Sequence, residues 1–177
     1  MPLPTLHGEG LTLRPFVPQD ADRVQRLAGA FEVADTTLNV PHPYPDGAAE
    51  AWILTHTTGW DLRSFCTLAV EVPETGIVGT MSLHLELLHR RGELGYWIGR
   101  PFWNRGYATR AARALLDFGF DVLDLNRVQA QYLVRNPASR RVMEKIGMRY
   151  EGTRRQYMIK WGVLEDVGCC ALLAAER

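Results

Sequence analysis

The sequence predicts a mixed α/β fold with one central, mostly antiparallel sheet of about seven strands, flanked by about four helices. Three observations lead there. The predicted elements run strand, two helices, three strands, helix, strand, helix, two strands. That order lacks the regular strand–helix alternation of a doubly wound dinucleotide fold. Glu74-Thr75-Gly76 separates two strand-like runs, which makes a hairpin. A single long helical stripe follows Gly106.

Leu11 to Phe16 alternates apolar with polar and reads as a strand. Pro18-Gln19-Asp20 starts a helix that reaches about Gly29, with Val24, Leu27 and Ala28 on one face. Asn39 to Asp46 holds three prolines, which remove donors and fix φ, so it is a loop between two helices. Gly47 to about Trp60 is the second helix, carrying Trp52, Ile53 and His56. Strands follow at Phe65–Val72, Ile77–Leu87 and Glu93–Ile98. In the third helix Ala108, Ala111, Ala112, Leu115, Leu116 and Gly119 form one buried stripe, with Arg110, Arg113, Asp117 and Asp121 opposite. Arg127–Val134 is a strand. Pro137 to about Ile146 is a helix with proline in its first turn and Gly147 as its stop. Met148–Met158 and Val163–Ala174 are the last two strands.

The chain has 177 residues, and lysine plus arginine (20) balance aspartate plus glutamate (20). This length fits a single domain over 1–177. Zero net charge argues against bulk electrostatic binding to nucleic acid. Cys66, Cys169 and Cys170 lack Cys-x-x-Cys spacing, and the five histidines are scattered, so neither a disulfide framework nor a metal site is expected. No basic segment followed by an apolar one opens the chain, and Val167–Ala175 is too short to span a bilayer. The expectation is a reduced cytoplasmic protein with no membrane contact, either monomer or homodimer.

Gly95 to Thr109 carries the most chemistry. A strand ends at Ile98 and the long helix opens at Gly106, so successive amides meet a helix dipole and form an anion site. Arg105 adds charge, Thr109 a hydroxyl, and Gly106 close approach. The alternative is a plain strand–helix connection. A nucleotide P-loop is excluded because no Gly-Lys-Ser/Thr is present, and a dinucleotide fingerprint because only Gly106 is suitably placed.

Three segments in register then carry a resemblance: Glu93-Leu94-Gly95-Tyr96-Trp97-Ile98, Phe102-Trp103-Asn104-Arg105-Gly106-Tyr107-Ala108-Thr109, and Asn136-Pro137-Ala138-Ser139 through Gly147-Met148. With Leu11–Pro15 and Gly162–Asp166, the chain resembles the GNAT acyltransferase superfamily, in its ribosomal-protein N-terminal (alanine) acetyltransferase-like branch. The resemblance implies acetyl-coenzyme A as cosubstrate. It places the pyrophosphate on the amides of Asn104, Arg105, Gly106, Tyr107, Ala108 and Thr109. It places the pantetheine arm along Tyr96, Trp97 and Ile98, where the sheet splays. The Asn136 amide would bond the pantetheine, and Ser139 would lie near the sulfur. Helix capping is the other role open to Asn136 and Ser139. Two departures stand out. Trp103 and Asn104 replace the usual Gln or Arg and a frequent glycine. Met143 stands where many members hold a tyrosine acid.

Ser139 is then the candidate acid, although a thiol of pKa about 8.5 can leave without one. Glu93 is the leading general base; its other reading is an exposed strand-end carboxylate. His84 and Glu86 are the other base candidates, and the Trp97 or Ile98 amide is the candidate oxyanion donor. The resemblance makes Thr37–Tyr44 and the helix with Trp52 and His56 the acceptor wall, with Tyr44 and His42 as contacts; core positions are the other reading of Tyr44 and Trp52. An α-amine titrates about 2.5 units below lysine, roughly 3.4 kcal/mol less to deprotonate, so a weak base suits a protein N-terminus. A small-molecule amine is the alternative acceptor, and a coenzyme A-binding sensor without turnover the third reading.

Overall fold

The computed structural model describes residues 2–177. Among them run β1 (Leu6–Gly8), β2 (Leu11–Arg14), α1 (Ala21–Ala28), α2 (Phe31–Thr36), α3 (Ala48–Asp61), β3 (Phe65–Val72), β4 (Gly76–Glu86) and β5 (Arg91–Ile98). Then come α4 (Tyr107–Asp121), β6 (Arg127–Leu133), α5 (Pro137–Lys145), β7 (Arg149–Lys160) and β8 (Val163–Leu173). The eight strands form one sheet in the order β1-β2-β3-β4-β5-β6-β8-β7. The class is as the sequence predicts, with one more strand and one more helix. β1 has three residues and α2 six, too few to display a period.

Strand alternation builds two cores, one on each face. On β3, Leu68 and Val70 join the core under α4 and α5, while Ala69 joins the core under α1 and α3. The two faces of this strand are therefore both dry, which explains its nearly unbroken apolar run. The α4 stripe is buried from Ala111 on, with Ala108 half-buried, and Phe118 and Phe120 beside it are buried too.

One pairing positions the site. Every neighbouring pair is antiparallel except β5 and β6, which run parallel. Their pairing stops at Leu94↔Ala130. β5 continues to Ile98 on β4, and β6 to Leu133 on β8. The two strands therefore part in the middle of the sheet.

Candidate acyl-transfer cleft

The gap between the parting strands opens into a cleft of about 840 Å³. Gly99 N–H donates to Val78 O at 2.8 Å, which sets the phase of the β4–β5 ladder. By antiparallel alternation, Gly95 and Trp97 then bond to β4, while the main-chain groups of Tyr96 and Ile98 face the gap. The Ile98 carbonyl is taken by the Trp103 indole N–H at 2.5 Å. What faces the gap is the Tyr96 N–H and C=O and the Ile98 N–H. Of the two oxyanion donors expected from sequence, only the Ile98 amide points the right way; the Trp97 amide is spent on Thr80.

At the mouth, Asn104 (φ +62°) and Gly106 (φ +76°) are both left-handed, and α4 begins at Tyr107. Asparagine is among the few side chains that tolerate this region, so the exchange of glycine for Asn104 keeps the turn. A Cβ on Gly106 would meet only Arg110 Nε at 4.0 Å, so the space above the helix start is open. Asn104 through Thr109 all line the cleft, with Arg105 exposed beside Phe102. Free amides, a helix dipole and open space fit a diphosphate, and the gap fits an extended arm that pairs like a strand.

Glu93 lines the cleft and accepts from Gln129 Nε2 at 2.9 Å and Gln131 Nε2 at 3.2 Å. Sequence reasoning missed these two partners. Their i, i+2 spacing on β6 put them on one face, but only the parallel pairing brings that face beside Glu93. His84 sits opposite Glu93 on β4 and also lines the cleft. Glu86 does not: it pairs with Arg91 at 2.6 Å toward the far end of the strand.

Ser139 and Asn136 open α5. Asn136 Oδ1 accepts from Ser139 N–H at 3.2 Å, a helix cap, and its Nδ2 donates to Thr36 O at 3.3 Å. One amide hydrogen of Asn136 remains for another acceptor. Ser139 Oγ lies 2.8 Å from Tyr96 Oη. Met143 is buried in the core.

The acceptor side differs from expectation at two histidines. Tyr44 and Trp52 line the cleft, but His56 is buried between Phe16, Trp52 and Phe65. His42 turns away, onto Phe31 and Gly29 O, and Pro41 takes its place in the wall. The end of α2 and the loop after it are held across the cleft by three side chains. Arg135 bonds Asp35 and Glu165, Asn136 bonds Thr36 O, and Lys160 reaches Leu38 O and Val40 O at 3.5 and 3.4 Å.

The sequence profile of the acetyltransferase (GNAT) domain matches residues 10–149. This chain belongs to the GNAT acetyltransferase family. It is 35% identical over 172 residues to the uncharacterized N-acetyltransferase YoaA of Bacillus subtilis, covering 96% of this chain and 97% of that one. It is 30% identical over 174 residues to the putative ribosomal N-acetyltransferase YdaF of the same organism, covering 95% and 93%. Its fold matches the crystal structure of a GNAT-family acetyltransferase from Bacillus anthracis, with TM-score 0.87, 25% identity, and 98% and 100% of the two chains covered. Among the described residues no helix is long and apolar enough to cross a membrane, and no cluster of three or more metal-ligating side chains occurs.

Proposed function

We propose that this GNAT acetyltransferase moves the acetyl group of acetyl-coenzyme A to the α-amine of a protein N-terminus. The observation that carries the acceptor assignment is the charge of the cleft. Among its described lining residues Glu93 is the only carboxylate, against Arg105, Arg141 and Lys145. A polycationic amine would call for several carboxylates. Glu93 moreover already accepts from two glutamine amides. An α-amine near pKa 8 needs little help to lose its proton at neutral pH, whereas a lysine near 10.4 needs much more. The ribosomal assignment in the name of YdaF fits the same class of acceptor.

In this reading the donor's diphosphate sits on the amides from Asn104 to Thr109 and its arm pairs with Tyr96 and Ile98. The amine attacks the thioester carbonyl carbon directly. The Ile98 N–H steadies the developing oxyanion. Glu93 or His84 takes the amine proton through water, and Ser139 gives one to the leaving sulfur. Burial pushes the Cys66 thiol up to about 12 and raises that of Cys170, so neither suits a covalent intermediate.

The test is release of free thiol with a panel of N-terminal peptides beside amino acids, polyamines and aminoglycosides. Saturable turnover on peptides is expected. Saturation by small amines alone would replace the acceptor assignment, and tight coenzyme A binding without any release would replace catalysis by sensing.

A further inference from the structure

Ser139 is half of a hydroxyl pair that bridges the cleft. Tyr96 comes from β5 and Ser139 from α5, and both line the cleft. Tyr96 Oη lies 2.8 Å from Ser139 Oγ and 3.2 Å from the Ser139 carbonyl oxygen. Each hydroxyl has one hydrogen to give. Two arrangements satisfy these distances. In the first, Tyr96 donates to the carbonyl and Ser139 donates to Tyr96, so the serine hydrogen is turned away from any ligand. In the second, Tyr96 donates to Ser139 Oγ, and the serine hydrogen is free to point elsewhere. Only the second lets Ser139 act on a leaving group. The bond that Oγ accepts also stabilises negative charge there and makes the serine a better donor.

We propose that Tyr96 is a positioning residue for acyl transfer, donating to Ser139 Oγ so that the serine hydrogen points at the sulfur of the coenzyme. The inference rests on the reading of this cleft as an acetyl-transfer site. Burial pushes the Tyr96 phenol up to about 12, so it keeps the hydrogen that it donates. The balance is closed without any further reactant. The amine nitrogen forms the new bond to the carbonyl carbon, the carbon–sulfur bond breaks, and its electron pair stays on sulfur. The Ser139 hydrogen passes to sulfur. The proton shed by the amine passes to Glu93 or His84 and from there returns to Oγ through water. Met143, buried in the core, offers no hydroxyl from α5, and this gives a strand tyrosine a part in orienting the acid.

The experiment is a double-mutant cycle, Tyr96→Phe with Ser139→Ala, read as single-turnover rate, KM for the acceptor and coenzyme A affinity. Each single change is expected to slow the chemical step about tenfold or more. The double variant should be no slower than Ser139→Ala, because the tyrosine acts through the serine. Affinity and KM should stay within about twofold in all three. Losses that multiply, or a Tyr96→Phe rate equal to wild type, overturn the inference and leave acetyl transfer standing. A Ser139→Ala rate equal to wild type overturns it as well. Absence of turnover by the wild-type protein on every amine removes the function itself. Should Tyr96→Phe melt early, 3-fluorotyrosine at position 96 keeps the shape and strengthens the donor. A rate at or above wild type is then expected, and a slower one counts against the inference.

Discussion

His56 is 2% exposed, and neither ring nitrogen has a hydrogen-bond partner among the described residues. Burial holds its pKa down to about 4, against 6.5 for an open histidine. The unfolded chain therefore takes up a proton first as pH falls. Stability is full above 6.5 and is lost between 6.5 and about 4. At pH 5 the loss from this one group is about 2 kcal/mol. His56→Leu removes both the titration and the orphaned nitrogens at similar volume. Urea unfolding at pH 7.5 and 5.0 should then show wild type falling by about 2 kcal/mol more than the variant. Equal falls in the two proteins would mean that His56 finds a partner in solution. The resemblance placed His56 with Trp52 on the acceptor wall, and as i and i+4 the two share a helix face. That face is split by the tertiary structure. Trp52 reaches the cleft, while His56 turns between Phe16 and Phe65.

At the scale of elements, the proposed donor site rests on the start of α4. Gly106 has φ +76° and open space around its missing Cβ. Any side chain there costs roughly 1 kcal/mol of backbone strain. A carboxylate adds repulsion toward phosphate oxygens. Gly106→Ala and Gly106→Glu share the strain, so their difference isolates the charge. Calorimetry should find coenzyme A bound at least about 100-fold more weakly by the Glu variant than by the Ala variant. Similar affinities would place the diphosphate elsewhere. This element was readable from sequence, because helix starts, glycine and the lack of rival motifs are local signals. The gap beside it was available only by resemblance. Nothing in the residues of β5 or β6 says that their pairing ends at Leu94. β1 and α2 escaped for a different reason: three and six residues do not complete a pattern.

The whole molecule is a sheet divided in two by its own gap, with β1 to β5 on one side and β6, β8 and β7 on the other. Arg135, Asn136 and Lys160 tie the second half to the end of α2 and the loop after it, across the cleft. A ligand that pairs with Tyr96 and Ile98 at the gap while contacting α5 should stabilise both halves together. At 100 times its dissociation constant coenzyme A stabilises the folded state by about 2.7 kcal/mol. For a chain of this size that raises Tm by roughly 5–10 °C. Differential scanning fluorimetry over a coenzyme A titration measures it, and a flat Tm at saturating ligand would contradict the binding site.

By itself the sequence determined most of the element types, the hairpin that begins the antiparallel sheet and the glycine-opened start of α4. Each is set by neighbours within a few turns of chain, so period, capping and turn residues report them. The tertiary structure decided which amides face the gap, that Gln129 and Gln131 occupy Glu93, that Tyr96 meets Ser139, and that His56 is core. These depend on pairing register and on contacts between separate segments, 36 residues apart for Glu93 with Gln129. Local pattern carries no term for such distances; packing of the whole chain supplies it.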